Sequence, residues 1–276
     1  MAAVTRSFVT ASLLTGGLLL LGLLLAVVRL VLRQDELLYF PTREISATPD
    51  SFGLEAEELA RKTEDGVTLR GWRIGRGGRR ALLFFHGNAG NAGDRLERAR
   101  ILRRRLDLDV FLLDYRGYGR SEGAPSEEGL YRDARAAYRT AVDAGIPANR
   151  IVLFGESLGC AVAIQLALER SCAALILETP FLSLPAMARH HYPLVPRFLI
   201  RSRFDNGEKI GRVSPPKLFL LAERDEIVPP AQSRRLFELA REPKRLYVIP
   251  GAGHNDTYAT GGEAYWNEWE EFLENL

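Results

Sequence analysis

The segment Gly155-Glu156-Ser157-Leu158-Gly159 places a serine between two glycines, after the apolar run Ile151–Phe154 and before a helical pattern at Leu158–Leu168. A serine on a sharp strand-to-helix turn has strained backbone geometry, and its hydroxyl is pushed out above the sheet. The free N–H groups of the helix N-terminus point at the same place. The pattern alone also occurs by chance or in tight structural turns, but the strand before it and the helix after it make it specific. We therefore interpret Ser157 as a nucleophile.

A serine hydroxyl is a weak nucleophile, so it needs a base and a third group that orients the base. His254 lies in a glycine-flanked loop after the apolar run Leu246–Ile249, and Asp225 follows another apolar run. The carboxyl ends of parallel strands form one ligand-binding edge, so both loops can reach Ser157 there. We predict His254 as the base and Asp225 as the acid. Glu178, at the end of the preceding predicted strand, is the alternative acid.

A third loop, His86-Gly87-Asn88-Ala89-Gly90-Asn91, follows the apolar run Ala81–Phe85. Acyl transfer develops an oxyanion, which preorganised N–H donors stabilise. We predict that the backbone N–H groups of Asn88 and Leu158 supply these donors and that His86 holds the loop in place. A phosphate-binding loop is the alternative, but the segment lacks the G-x-x-x-x-G-K-[ST] pattern.

Other polar residues receive structural interpretations. His190 and His191 lie in a proline-rich stretch and are interpreted as surface or pocket-wall residues. Asp114 precedes the serine in the chain and is interpreted as a carboxylate that braces its own loop. The arginines between positions 95 and 105 are interpreted as a solvated helix face, and the glycosylation sequon at Asn255 as a chance match.

Apolar runs alternate with amphipathic stretches from about residue 65 onward. The continuous apolar runs are typical of strands covered on both faces. The predicted strands are Val67–Ile74, Ala81–Phe85, Val110–Leu113, Ile151–Phe154, Leu175–Leu177, Leu218–Leu221 and Leu246–Ile249, and the predicted helices are Ala92–Leu106, Glu127–Ala144, Leu158–Leu168, Ala231–Leu239 and Tyr265–Leu273. This alternation predicts an α/β fold in which a mostly parallel sheet is flanked by helices.

The segment Ser7–Val28 contains no charged residue. As a helix it is long enough to cross a hydrocarbon core of about 30 Å. We predict a single-pass membrane anchor in residues 1–33. A cleaved signal peptide and a buried core helix are the alternatives, but the apolar run is longer than that of a signal peptide and no A-x-A-like site follows it. Arg29, Arg33 and Arg43, which follow the segment, favour a cytoplasmic C-terminal domain.

Residues 34–64 are predicted to connect this anchor to a catalytic domain at residues 65–276. Within that domain, the stretch from about residue 181 to 212 interrupts the alternation with Pro185, Pro193 and Pro196 among apolar side chains. An irregular apolar excursion between two strands is typical of a lid or a pocket wall. A poorly regular helical connection that packs on the sheet is the alternative.

The composition excludes several classes of function. The chain has 276 residues, of which 46% are hydrophobic and 26% charged, and its net charge of +2 gives no electrostatic footprint for nucleic acid. Its two cysteines are too few for a disulfide framework or a four-ligand zinc site. Because the sequence also lacks metal-ligand and dinucleotide patterns, we expect neither a metal ion nor a cofactor.

With these residues in place, the chain resembles the α/β-hydrolase superfamily, and more narrowly the membrane-anchored group that includes α/β-hydrolase domain-containing protein 13. The matching motifs are Leu37-Leu38-Tyr39-Phe40-Pro41, His86 through Asn91, Asp114 through Gly123, Glu127-Glu128-Gly129-Leu130-Tyr131, Phe154 through Gly159, Ala161-Val162-Ala163-Ile164 and His254-Asn255-Asp256-Thr257. The resemblance extends from about residue 37 to the end of the chain. It implies the α/β-hydrolase fold and a triad of Ser157, Asp225 and His254, whose order along the chain is that of the superfamily. Cys160 departs from the pattern, since relatives often have glycine there.

The residues and the resemblance together predict a membrane-anchored serine hydrolase that cleaves carboxylic ester or thioester bonds through an acyl-enzyme. The resemblance implies lipid esters or fatty-acylated proteins as substrates. The alternatives are a serine peptidase or amidase on the same fold and a non-catalytic hydrolase-like scaffold. Epoxide hydrolase and dehalogenase chemistry is disfavoured because it would need a carboxylate at position 157.

Overall fold

An eight-stranded sheet follows an N-terminal helix in the computed structural model, which describes residues 2–276 except for the side chains at positions 2–13, 23 and 26 of that helix. The strands are β1 (Phe40–Pro41), β2 (Ala56–Lys62), β3 (Thr68–Ile74), β4 (Arg80–Phe85), β5 (Ala89–Gly90), β6 (Leu108–Leu113), β7 (Ile151–Glu156), β8 (Ala174–Glu178), β9 (Lys217–Ala222) and β10 (Lys244–Ile249). Across the sheet their order is β10-β9-β8-β7-β4-β6-β3-β2, and the short strands β1 and β5 pair separately.

The α-helices lie on both faces of this sheet and at the start of the chain. They are α1 (Ala2–Leu32), α2 (Gln34–Leu38), α3 (Leu96–Leu106), α4 (Glu127–Asp143), α5 (Leu158–Glu169), α6 (Leu184–His191), α7 (Asn206–Lys209), α8 (Pro230–Leu239) and α9 (Thr257–Glu274). Short 3₁₀ turns occur at Pro49–Phe52, Ala92–Arg95, Ala148–Arg150, Arg197–Leu199 and Ile210–Arg212.

The six strands from β10 to β6 in the sheet order pair in parallel, whereas β3 and β2 are antiparallel to their neighbours. Every residue of β6, β8 and β9 is buried. Helices on both faces bury both sets of side chains, and this explains why the strands appear in the sequence as continuous apolar runs. The predicted α/β fold with a mostly parallel sheet is confirmed.

Alternate residues of one strand belong to two separate core layers. Leu83 of β4 and Leu153 of β7 pack in the layer that α4 and α5 cover, while Leu82 and Val152 pack in the layer that α3 and α9 cover. This alternation follows from the two-residue period of a strand. The two layers clamp the sheet from both sides, so the loops at the carboxyl ends of its central strands are held at one edge.

Strand β2 lies inside the segment 34–64 that the sequence predicts as a connection. It pairs with β3 over its whole length, from Ala56 opposite Ile74 to Lys62 opposite Thr68, and forms one edge of the sheet. Its side chains are exposed or half-buried throughout. A strand of this kind needs no apolar run, and for that reason the hydrophobic pattern did not reveal it. The sheet therefore begins within the predicted connection.

Two predicted helices begin differently in the structure. The segment predicted as a helix from Ala92 starts as the 3₁₀ turn Ala92–Arg95 and becomes α-helical only at Leu96. The last helix begins at Thr257, well before the predicted start at Tyr265, and it bends at Gly262, where φ is 51° and ψ is −138°. Two glycines in its first turns weaken the helical pattern, so the sequence reveals only the apolar second half.

The predicted anchor Ser7–Val28 lies within α1. The part of α1 from Leu14 to Leu32 is long and apolar enough to cross a membrane, with a mean hydropathy of 2.3 and no part of it buried. Leu18, Leu19 and Leu20 are each about 70% exposed. An exposed leucine stripe of this length is unfavourable in water.

Candidate active site

Ser157 occupies the turn between β7 and α5. Its φ of 53° and ψ of −113° lie outside the regions that non-glycine residues ordinarily adopt. A Cβ at Gly159 would stand 1.9 Å from the carbonyl oxygen of Phe85, and a Cβ at Gly155 would stand 2.4 Å from that of Gly159. Both glycines of the motif are therefore required by close backbone approach, and the predicted sharp turn is present.

The structure brings the serine, the histidine and the aspartate of the sequence prediction together. His254 Nε2 lies 3.0 Å from Ser157 Oγ, and His254 Nδ1 lies 2.9 and 2.8 Å from the two carboxylate oxygens of Asp225. His254 and Asp225 are both 8% exposed. This is the geometry in which an imidazole can take a proton from a hydroxyl while a carboxylate holds its other nitrogen.

Backbone groups fix the aspartate in this orientation. Asp225 follows β9, and its Oδ1 accepts hydrogen bonds from the backbone N–H groups of Ile227 at 2.9 Å and Val228 at 2.7 Å. The loop with His254 follows β10, and the backbone N–H of His254 donates to Glu226 at 3.1 Å. Because β9 and β10 are adjacent parallel strands, their carboxyl-end loops meet, as expected at this edge of the sheet.

Glu178, the alternative acid, is fully engaged elsewhere. Its two oxygens accept hydrogen bonds from both terminal nitrogens of Arg98, from the Thr257 hydroxyl at 2.7 Å and from the Tyr265 hydroxyl at 2.6 Å. It is 1% exposed and makes no hydrogen bond to His254 among the described contacts. The geometry therefore selects Asp225 as the partner of the histidine.

Arg98 is the centre of a buried ionic cluster, which corrects the interpretation of the arginines between positions 95 and 105 as a solvated face. Arg98 is 4% exposed and bridges Glu178 to Glu156, the residue directly before the serine. Arg95 also donates to Glu156 at 3.0 Å. Burial would raise the pKa of Glu156, but the two guanidinium groups outweigh it and lower that pKa. Other arginines of this stretch, such as Arg103 and Arg105, do form surface ion pairs.

The sequence contained a signal for this cluster that the helical pattern concealed. Arg98 follows the apolar Leu96 and precedes Ala99, and all three positions are buried in α3. A charged residue on the apolar face of a helix must find a partner, because an unpaired buried charge is strongly unfavourable. The two acidic residues that end β7 and β8, Glu156 and Glu178, are the partners that the topology supplies.

The predicted oxyanion donors lie next to the serine. Leu158 is the first residue of α5, so its N–H has no partner inside the helix. Asn88 lines the same cavity as Ser157. Its carbonyl accepts from Phe40 N at 2.9 Å and from Tyr118 Oη at 2.7 Å, while its side chain donates to the Leu38 carbonyl at 2.8 Å. The carbonyl and the side chain of Asn88 are thereby anchored, and the assignment of the two N–H groups as oxyanion donors stays a prediction.

His86 and Asp114 form a separate buried pair behind the loop. The His86 ring contacts Tyr115 and Tyr118, and its Nδ1 lies 2.8 Å from the Gly87 carbonyl. Burial lowers the pKa of His86 to about 4 and raises the pKa of Asp114 to about 7. Asp114 accepts a hydrogen bond from the Ala92 N–H at 2.7 Å. These contacts agree with the predicted roles, in which the histidine holds its loop and the aspartate braces the chain.

A cavity of about 570 Å³ opens beside Ser157, and we refer to it as the Ser157 pocket. Most of the residues that line it have polar or charged side chains, among them Asp94, Arg95 and Glu156, and the apolar Phe40 and Ile227 also line it. His191 is outside this lining, and its Nε2 lies 2.8 Å from the carbonyl oxygen of Ile227, while the His190 ring packs edge-on against the His191 ring. Across residues 2–276, His, Cys, Asp and Glu side chains form no group of three or more that could hold a metal ion.

Comparisons with known proteins agree with this architecture. The profile of a family described as "Serine aminopeptidase, S33" matches residues 78–209. The chain is 37% identical over 282 residues to an Arabidopsis thaliana protein named alpha/beta hydrolase domain-containing protein WAV2, covering 90% of each chain. It is 39% identical to protein bem46 of Schizosaccharomyces pombe, covering 87% of this chain and 85% of that one. A Saccharomyces cerevisiae relative, 37% identical over 82% of each chain, is named an uncharacterized membrane protein.

Solved structures show the same fold at lower identity. The Pyrococcus furiosus esterase Pf2001 superposes with a TM-score of 0.72 at 21% identity, covering 86% of this chain and 99% of the esterase. A predicted hydrolase from Thermoplasma acidophilum superposes with a TM-score of 0.60 at 19% identity, covering 81% of this chain and all of the other. The sheet and its flanking helices are thus a shared fold.

Proposed function

This chain belongs to the α/β-hydrolase family, and from that premise we propose that it is a membrane-anchored serine hydrolase that cleaves carboxylic ester or thioester bonds. The observation that supports the proposal most strongly is the continuous chain of contacts from Asp225 through His254 to Ser157. The spacing and context of these residues in the sequence indicate the same triad, and His254 lies within hydrogen-bond distance of both other side chains. A family that hosts many chemistries does not by itself determine the reaction, so the proposal rests on this site.

In the proposed reaction, His254 Nε2 takes the proton of Ser157 Oγ as that oxygen attacks the carbonyl carbon of the substrate. Asp225 stabilises the imidazolium that forms, and the N–H groups of Leu158 and Asn88 stabilise the oxyanion. The proton then passes to the departing alcohol or thiol, which leaves an acyl-enzyme. Water activated by His254 releases the acid and restores the serine.

The proposed anchor is α1, with the sheet domain on the cytoplasmic side. The exposed apolar stretch Leu14–Leu32 supports insertion, and so does the name of the relative described as a membrane protein, which is 37% identical over 82% of this chain. Arg29 and Arg33 follow the apolar core, which favours a cytoplasmic location for the domain that comes after them. A cysteine accessibility assay on intact vesicles, with a cysteine introduced at the exposed Leu276, tests this orientation.

The catalytic assignment is tested by covalent labelling with a fluorophosphonate probe, which reacts with activated serines. We expect the full-length chain to be labelled and to hydrolyse p-nitrophenyl acetate, and we expect Ser157→Ala to abolish both. The matched control is Ser171→Ala, since Ser171 is exposed and its side chain makes none of the site contacts. Labelling of Ser157→Ala at the rate of the unsubstituted chain would remove Ser157 from the mechanism. A folded chain that never labels would favour a non-catalytic scaffold.

An aminopeptidase is the second candidate, because the matching family profile has that description. Such an enzyme needs a free carboxylate for the ammonium group of its substrate. Two of the three acidic residues lining the Ser157 pocket, Glu156 and Glu178, are already paired with Arg98. The third, Asp94, accepts hydrogen bonds from the Asn91 N–H and the Ser46 hydroxyl. Because an arginine already neutralises two of these carboxylates, the site favours an ester or thioester. Turnover of aminoacyl p-nitroanilides at rates equal to those of esters would reverse the preference.

A further inference from the structure

A second cavity of about 260 Å³ lies where the end of α1 meets the irregular insertion, and we refer to it as the apolar groove. Leu30 and Leu37 line one side of it, and Leu184, Met187, Val195 and Ile200 line the other. Gln34 and Asp35 are among the few polar residues in its lining. The two sides are joined by Gln34, whose amide donates to the Leu199 carbonyl at 2.5 Å and accepts from the Arg201 N–H at 2.9 Å. The groove is therefore a built feature that connects the predicted anchor to the predicted lid.

The apolar groove and the Ser157 pocket are consecutive along two walls. On one wall, Leu38 lines the groove and Phe40 lines the pocket, with the buried Tyr39 between them. On the other wall, His191 lines the groove, and its ring contacts the carbonyl of Ile227, which lines the pocket, at 2.8 Å. The apolar groove and the Ser157 pocket therefore adjoin each other along both of these walls.

The first of these walls is also tied to the candidate oxyanion loop. The Asn88 side chain donates to the Leu38 carbonyl at 2.8 Å, and the Phe40 N–H donates to the Asn88 carbonyl at 2.9 Å. A molecule lying along Leu38 and Phe40 therefore reaches the loop that faces Ser157. The chemistry of the two cavities differs, since charged side chains surround the serine while aliphatic side chains line the groove. A ligand that fits both has a polar end and a hydrocarbon end.

The groove is also placed where a bilayer could supply such a ligand. Leu30 belongs both to α1 and to the groove lining, so the groove begins at the base of the candidate membrane span. The insertion beside it exposes Leu194 by 95% and Phe198 by 85%. Large exposed apolar side chains next to a membrane span are suited to the lipid interface. A hydrocarbon chain can pass from the bilayer into the groove without crossing water.

We propose that the apolar groove binds the fatty acyl chain of a bilayer lipid ester, whose carbonyl then lies at Ser157 and whose leaving group occupies the Ser157 pocket. This rests on the proposed function and specifies its substrate. Ser157 Oγ forms a bond to the acyl carbon, the bond to the leaving oxygen breaks, and that oxygen takes the serine proton through His254. Water then releases the fatty acid, while the polar pocket receives the alcohol with its head group.

The first experiment replaces a small residue on the wall of the apolar groove with a large one, so that the new side chain fills the groove. Ala188 lies on α6, lines the groove and is half-buried, so Ala188→Trp occupies space that an acyl chain needs. We measure kcat/KM for p-nitrophenyl dodecanoate and p-nitrophenyl acetate with the full-length chain in phosphatidylcholine vesicles. We expect Ala188→Trp to lower the dodecanoate-to-acetate ratio at least about tenfold, since loss of contact with two methylene groups is enough for that factor. An unchanged ratio in folded Ala188→Trp would overturn the proposal.

Two further variants control this result. Arg189→Trp adds the same bulk at the next position of α6, where the side chain is exposed and outside the groove lining, and we expect the ratio to stay unchanged. An equal loss of the ratio in Arg189→Trp would contradict the proposal. If Ala188→Trp fails to fold, Leu37→Asp replaces it, because Leu37 lines the groove and is 60% exposed. A charge there repels an acyl chain, and the same fall in the ratio is expected.

Direct binding separates this inference from the catalytic proposal. A fluorescent dodecanoic acid is titrated into Ser157→Ala, which cannot turn over a substrate, and into the same chain with Ala188→Trp. We expect the second substitution to weaken binding at least about tenfold. Equal binding by both overturns the groove assignment even if esters are hydrolysed. Binding that depends on Ala188, without any turnover by the unsubstituted chain, supports the groove and refutes the hydrolase.

Discussion

The Ser157 pocket and the apolar groove are adjacent, but they are stabilised in opposite ways. The wall of the pocket contains a buried ionic network in which Arg98 bridges Glu156 and Glu178 behind the serine turn. The groove lies between elements that touch through side chains of intermediate burial, such as Met187 and Val195, and through the Gln34 amide. One region is fixed by directional contacts and the other by loose apolar packing.

This difference matches what each region is proposed to do. Acyl transfer needs donors and an imidazole held in advance at set distances, because reorganisation during the reaction would raise the barrier. A hydrocarbon chain has no directional groups, so its site needs only apolar surface and space. A hydrogen-bonded polar pocket beside an apolar groove therefore suits a substrate whose carbonyl must be held at a set distance from the serine and whose hydrocarbon chain can vary in length.

The largest effect is expected from Asp225→Asn, which changes the carboxylate that orients His254 beside the Ser157 pocket. Asparagine keeps the size of the side chain but leaves His254 Nδ1 facing an amide, which favours the wrong tautomer. We expect kcat for p-nitrophenyl acetate to fall on the order of 10⁴-fold with little change in KM. Steady-state kinetics of the full-length chain in vesicles measure this fall.

The matched comparison is Glu178→Gln, because both carboxylates lie at the carboxyl ends of parallel strands and only Asp225 contacts the histidine. Glu178→Gln is expected to reduce stability more than rate. If Asp225→Asn kept the kcat of the unsubstituted chain and folded Glu178→Gln lost it, Glu178 and not Asp225 would be the acid that supports His254.

The second effect concerns the ionic cluster. Arg98→Met removes the cation that lies between two buried carboxylates, and we expect the free energy of unfolding to fall by about 3–5 kcal/mol. Trp72, Trp266 and Trp269 are the three tryptophans of the chain and are all buried in the sheet domain, so their fluorescence reports its unfolding in urea. The control is Arg197→Met in the insertion, where the arginine is exposed and little change is expected. Equal stability of both variants would show that the cluster does not hold the pocket.

The sequence predicts the nucleophile turn and its partners well because each obeys a local rule. Gly155, Ser157 and Gly159 fit a strand-to-helix turn, and His254 and Asp225 follow apolar runs at the ends of parallel strands. Topology then brings the loops together without further information. The same reasoning prefers Asp225 but leaves Glu178 as an alternative, since both stand at strand ends. The deciding fact is that Arg98, 80 residues away in the chain, occupies Glu178.

Features that depend on tertiary context were harder to predict. Strand β2 reads Ala-Glu-Glu-Leu-Ala-Arg-Lys, and only its pairing with β3 makes it part of the sheet. The groove involves Leu30 and Ile200, which are distant in the chain and belong to no common motif. Composition alone suggested an apolar pocket wall in the insertion, but it did not indicate that the end of α1 forms the opposite side.

A third, smaller effect depends on pH. The raised pKa of Asp114, about 7 in the folded chain, means that the folded state retains a proton that the unfolded state has lost. This favours folding at low pH, and the advantage disappears as the pH rises toward the folded pKa. Between about pH 5 and about pH 6.5, we expect the stability of the unsubstituted chain to fall by about 2 kcal/mol relative to Asp114→Asn. Asparagine keeps the acceptor for Ala92 and does not titrate.

Urea unfolding of both chains at the two pH values measures this difference, and the titration of His86 largely cancels because both chains contain it. The lowered pKa of His86 acts in the opposite direction, but it does so in both chains and therefore leaves the difference between them unchanged. If the difference in the free energy of unfolding between the two chains stayed constant across this pH range, Asp114 would have an ordinary pKa. The region behind the His86 loop would then be more accessible to water than its contacts indicate.

The smallest effect is expected on the side of the apolar groove. Leu194→Ser and Phe198→Ser remove side chains that are 95% and 85% exposed, so the free energy of unfolding is expected to change by no more than about 0.5 kcal/mol. Leu153→Ala, a core leucine with no exposure, is expected to lose about 2–5 kcal/mol in the same assay. If either serine variant lost as much as the core variant, the insertion would be part of the cooperative core and not a loosely packed wall. The contrast between the two regions would then fail, because the groove would be as firmly held as the pocket beside the serine.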